Sequence, residues 1–76
     1  MESSKILQAL GGKENINNLD SCITRLRITL NDITKLNEKD LKKQGVAGVM
    51  KLGGGNIQVV IGTDAEFIEE EIKKLL

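Results

Sequence analysis

LDSCITRLRITL, residues 19–30, carries in its second half the pattern that decides the fold. Arg25, Arg27 and Thr29 alternate with Leu26, Ile28 and Leu30, so polar side chains fall on one face and aliphatic ones on the other. That period of two is a half-buried strand. Asn31-Asp32 closes it with turn formers. The segment before it, residues 15–20, is mixed, with Ile16 and Leu19 as apolar anchors, and reads as a short extended piece.

Outward from this strand, the chain breaks into short elements. Ser3 or Ser4 can cap a helix carrying Ile6, Leu7 and Leu10, which Gly11-Gly12 ends. Asn37 is the predicted N-cap of a second helix, with Leu36 and Leu41 spaced as a hydrophobic staple and Asp40 in the first turn. Gly45 stops that helix. Residues 46–52 and 57–61 are apolar runs around Gly53-Gly54-Gly55-Asn56, which predicts a hairpin with a loose glycine turn. A third helix runs from about Asp64 to the end, with Thr63 and Glu66 at capping-box spacing. Ala65, Ile68, Ile72 and Leu75 form its predicted buried stripe, and Glu69, Glu70 and Glu71 its solvated side. The order is α-β-β-α-β-β-α. Hairpins linked in this way predict an α+β fold, a four-stranded antiparallel sheet with three helices packed on one face.

Composition narrows the function classes. Seventy-six residues make a single domain, 1–76, with a small core. Phe67 is its only aromatic side chain, so that core is aliphatic. With no proline, no histidine and one cysteine, there is no disulfide framework and no zinc site. One free thiol fits a reducing, cytosolic compartment. Eleven basic residues against eleven acidic ones argue against bulk binding to nucleic acid. No apolar run approaches the roughly 20 residues needed to span a bilayer. MESSKILQALGG, interrupted by Lys5 and Gln8, does not read as a signal peptide.

Cys22 is the chemical candidate. A lone cysteine is most often a small buried hydrophobe, and exposed arginines are most often solvated or loosely paired. Here Asp20-Ser21 and Thr24 surround the sulfur with polar residues, and Cys22 lies ahead of the alternation, which predicts a turn. Turn N–H groups, including those of Ile23 and Thr24, can converge on an anion. Arg25 and Arg27 project to one face, and two positive charges near a sulfur favour its nucleophilic thiolate form. A reactive thiol or an anion site therefore stands level with the packing residue. A protease is excluded because no histidine base exists. The tyrosine-phosphatase spacing of cysteine and arginine puts Ile28 where the arginine belongs. The glycine stretch lacks the Lys-Ser/Thr of a phosphate loop and leads into a strand. Gln58, polar in an apolar strand, is left open between solvent and site.

LDSCITRLR closely resembles the phosphocysteine signature of IIB domains in the glucose family of the bacterial phosphoenolpyruvate-dependent sugar phosphotransferase system. ILQALGGKENI resembles the opening of that family, and NDITKLNEKDLKKQGVAGVMKLGGGNIQVVIGTDAEFIEEEI its remainder. The resemblance implies the same fold and a phosphotransferase activity. It implies that Cys22 takes a phosphoryl group from a phosphohistidine of a IIA partner and passes it to a sugar held by the membrane-embedded IIC domain. Arg25 and Arg27 would neutralise the group, helped by the backbone N–H groups of Ile23 and Thr24, with neither metal nor other cofactor. It also implies work at the cytoplasmic face of the membrane, as part of a permease. Ile23 is the expected apolar rim contact for partners, unless it is a buried anchor. Leu19-Asp20 leans toward relatives handling glucose, N-acetylglucosamine or maltose. Two rival expectations remain: a regulatory module that sequesters a transcription repressor according to Cys22 phosphorylation, and a structural domain with a buried thiol.

Overall fold

A computed structural model describes residues 1–76. The alternating stretch forms strand β2 (Arg25–Leu30), with Leu26, Ile28 and Leu30 buried. It is preceded by β1 (Ile16–Cys22) and followed, across the molecule, by β3 (Gly48–Gly53) and β4 (Asn56–Val60). All pairings are antiparallel and the strand order is β1-β2-β4-β3. The last strand therefore lies between β2 and β3 and joins the two hairpins into one sheet. The helices are α1 (Ser3–Ala9), α2 (Glu38–Lys43) and α3 (Ala65–Leu75), with single 3-10 turns at residues 13–15 and 33–35.

The period of two assigns every sheet residue to a side. Leu19, Leu26, Ile28, Ile57 and Val59 point to the helices and are buried. Helix α3 lies against β1 and β2, and α1 contacts both α2 and α3. Sixteen buried aliphatic side chains form one core. Each such Leu, Ile or Val contributes about 1.5–3 kcal/mol by leaving water. The opposite face carries no helix and is open to solvent.

The staple at α2 forms as expected. Asn37 Oδ1 accepts from Asp40 N–H at 3.0 Å, Leu41 is fully buried and Leu36 packs on the core. Other expectations need correction. Glu2, not a serine, precedes α1, and its side chain makes no cap bond; its N–H instead donates to Gln44 Oε1 at 2.8 Å. The Thr63–Glu66 capping box does not form. Ile61 and Gly62 N–H both bond Thr24 O at 2.9 Å, holding the chain to the sheet, and Asp64 becomes the N-cap without a side-chain bond. Leu75, expected in the buried stripe of α3, is instead 44% exposed in the last turn of that helix. Strand β3 begins at Gly48; Val46, buried ahead of it, anchors the connection from α2. The glycine turn is tight rather than loose. Gly54 (φ +63°) and Gly55 (φ +81°) make a two-residue link whose left-handed backbone suits glycine.

Candidate functional site

Cys22 is the last residue of β1, and Ile23-Thr24 alone turn the chain into β2. The expected turn position is thus one residue off: Cys22 pairs with Arg25 across the mouth of the hairpin. A two-residue loop leaves the residues flanking it in register, so the strand continues up to the cysteine. Ile23 carries the tightness of the turn. Its φ is +48°, a left-handed value that is a genuine outlier for a β-branched residue. Its side chain is 85% exposed, so it is no buried anchor. The cysteine is exposed too, and the reading of a buried structural thiol is overturned.

Register assembles the rest of the site on the open face. Asp20 lies opposite Arg27, and Arg27 opposite Gln58, so β1, β2 and β4 each contribute a polar side chain to one row. Cys22, Ile23, Thr24, Arg25, Arg27 and Gln58 line a shallow depression of about 350 Å³. Arg25 Nη1 donates to Gln58 Oε1 at 2.9 Å and lies 3.5 Å from Met50 Sδ. Arg27 Nη2 donates to Asp20 Oδ2 at 2.7 Å, and Asp20 Oδ1 accepts from Ser21 N–H at 2.7 Å. These bonds, first Arg27's and then Ser21's, hold the Asp20 carboxyl below its ordinary range. The bond to Asp20 in turn raises the Arg27 guanidinium further.

Behind the open face, Ser21 points to the helices, where its Oγ donates to Glu69 Oε1 of α3. Glu69 Oε2 meets Lys73 Nζ at 2.7 Å, and the Glu69 side chain is only 15% exposed. Glu69 is therefore not on the solvated side assigned to it; it ties α3 to the end of β1. Lys73 first and Ser21 second pull its carboxyl below the ordinary value.

Cys22, Ile23, Thr24, Arg25 and Arg27 are thus brought together as the sequence suggested. Gln58, left open between solvent and site, lines the site, while Asp20 and the Ser21–Glu69 contact were missed as partners. Asp20 had a signal, since it is two residues from Cys22 on a strand and shares its face. Gln58 had one in being polar within an apolar strand, though only the sheet order sets it beside the arginines, and Glu69 had none, because only the docking of α3 brings it near Ser21. Chemically, an exposed sulfur beside two guanidinium groups suits a nucleophile whose loaded form is an anion.

A family model described as phosphotransferase system, EIIB matches residues 4–37. The N-acetylglucosamine-specific EIIB component of Streptomyces coelicolor is 48% identical over 75 residues, covering 99% of this chain and 96% of that protein. The chain belongs to the EIIB family of the phosphotransferase system. Two other relatives are larger proteins. The N-acetylglucosamine-specific EIICB component of Bacillus subtilis is 48% identical over 68 residues, and the EIICBA component of Klebsiella pneumoniae 42% over 74. The EIIB chain aligns over 90% and 97% of its own length with these two, but spans only 15% and 11% of theirs. A solved domain of a phosphotransferase-system IIabc component from Clostridium difficile superposes with a TM-score of 0.69, covering all of this chain and 86% of that one, at 24% identity. That likeness shows the α+β fold. The names of these relatives give the repressor-sequestering module no support. No helix of the EIIB chain is long and apolar enough to cross a membrane.

Proposed function

We propose that residues 1–76 act as one phosphocarrier unit and that Cys22 is its phosphoryl acceptor. The Cys22 sulfur attacks the phosphorus of a phosphohistidine on a IIA partner; the S–P bond forms, the N–P bond breaks and the imidazole leaves. A sugar hydroxyl held by a IIC domain then attacks the same phosphorus: the O–P bond forms, the S–P bond breaks, the sulfur departs as thiolate and the hydroxyl proton passes to solvent. Phosphoryl transfer rests mostly on positioning and on charge stabilisation at three equatorial oxygens. Arg25 and Arg27 supply donors on the open side of the sulfur, and the N–H groups of Ile23 and Thr24 complete the cradle. The observation that carries this reading is the exposed Cys22 at the mouth of a hairpin, in one depression with both arginines. The relatives' names point to a sugar of the N-acetylglucosamine and glucose class, and their fused EIIC and EIIA parts to the partners. A carrier serving such partners works at the cytoplasmic face of a membrane permease.

Intact-mass measurement tests it. The chain is incubated with phosphoenolpyruvate, the two general phosphotransferase proteins and a glucose-type IIA, beside a Cys22→Ser control. One added phosphoryl group, acid-labile in the manner of a thiophosphate and absent from the control, is the expected result. An unmodified wild-type chain under conditions that phosphorylate the IIA would remove the carrier reading.

A further inference from the structure

The two guanidinium groups at the site are held differently. Arg25 is bonded to a neutral amide oxygen of Gln58, whereas Arg27 is bonded to a carboxylate, that of Asp20, at 2.7 Å. Asp20 is fixed in turn, because its second oxygen takes the Ser21 N–H. Asp20 and Cys22 lie two residues apart on β1, hence on one face and separated by roughly 7 Å along the strand. The Asp20 and Arg27 side chains are both about half exposed, at 52% and 54%, so the pair is free to rearrange without unpacking the core.

A phosphoryl group on the sulfur brings roughly −1.5 to −2 charges to this face near pH 7. It then competes with Asp20 for one guanidinium and is repelled by the carboxylate it displaces. We propose that Asp20 is a positioning residue acting through Arg27: it parks the guanidinium beside the unloaded thiol and, by competing for it, keeps the loaded cysteine a ready donor. The inference rests on Cys22 being the phosphoryl acceptor. Its physical content is a balance. A carrier must both receive and release, and a clamp with no competitor would hold the loaded state too firmly. Arg25, bonded only to neutral groups, is the guanidinium that can turn to the phosphoryl group without breaking an ion pair. Arg27 is the one whose transfer is opposed.

The test uses the full chain and a phosphorylated glucose-type IIA, with the distribution of phosphoryl groups at equilibrium read by intact mass. Asp20→Asn keeps the size of the side chain and an oxygen for the Ser21 N–H but removes the charge. The expected result is a shift toward the phosphorylated chain of roughly two- to five-fold, with slower return of the group to unphosphorylated IIA. In an Arg27→Gln background the same Asp20 substitution should shift the equilibrium by less than about half as much, since the mediator is gone. In the wild type, the Arg27 guanidinium nitrogen resonances should move on loading. An unchanged or reversed equilibrium in Asp20→Asn overturns the proposal. So does a shift of full size without Arg27, or an Arg27 resonance that ignores loading. Failure of the wild type to accept any phosphoryl group overturns instead the reading beneath it, and this proposal with it.

Discussion

Asn15 is the one polar side chain in the buried set, 3% exposed, and it works as a latch. Its Nδ2 donates to Leu10 O at 2.7 Å and to Asp32 O at 3.0 Å, while its Oδ1 accepts from Asp32 N–H at 2.8 Å. It thus fastens the end of α1 to the end of β2. Asn15→Ala leaves several of these backbone groups unpaired, and should cost about 2–4 kcal/mol in urea unfolding without a change in slope. In the sequence Asn15 belonged to an unpatterned segment, because hydropathy treats an amide as a surface group wherever it stands. Ile23 is the opposite case, an apolar side chain 85% exposed on a left-handed backbone. The left-handed conformation costs a non-glycine residue about 1–2 kcal/mol. Ile23→Gly should therefore melt no lower than the wild type, yet raise the concentration of IIA needed for half-maximal phosphorylation if Ile23 is the partner's rim contact. Lower melting with unchanged phosphorylation would make Ile23 structural.

At the scale of elements, α3 shows what periodicity can and cannot report. The 3.6-residue repeat correctly turned Ala65, Ile68 and Ile72 inward. It could not tell where the packing surface ends, so Leu75 was placed inside. Nor could it tell that β1 finishes beside the helix, where Glu69 is needed by Ser21. Strand β1 itself was only half legible, because an edge strand that buries Leu19 alone among its side chains has no alternation to read. The Glu69 contact has a pH signature. A carboxyl depressed by folding adds stability above its unfolded pKa, here near the ordinary 4.5, and loses it as pH falls through the lower folded value. Urea midpoints should therefore fall as pH drops from about 5 toward 3, and the fall should be shallower in Glu69→Gln. Asp20, held down by Arg27, and Asp32, held down by Thr34, lie on the same limb, so some of the fall should remain.

Across the whole molecule, the sheet order separates what folds the chain from what it does. Two hairpins were legible in the sequence; the insertion of β4 beside β2 was not, because alternation tells which face of a strand is buried and not which strand lies beside it. That insertion buries Leu26, Ile28, Ile57 and Val59 at the centre and sets Gln58 beside Arg27 on the other side of the same strands. The helices cover one face only, so Cys22, at the turn end of edge strand β1, touches a surface that the core does not need. Cys22→Ser should accordingly lose phosphoryl acceptance as a thiophosphate while shifting the melting temperature by no more than about 4 °C. Leu26→Ala, which empties a fully buried position directly behind the site, should lower it by roughly 10 °C or more. Thermal scans of the two variants beside the wild type decide the matter. A Cys22→Ser variant that melts like Leu26→Ala would mean that the sulfur supports the fold, and that the open face is not the independent working surface proposed for it.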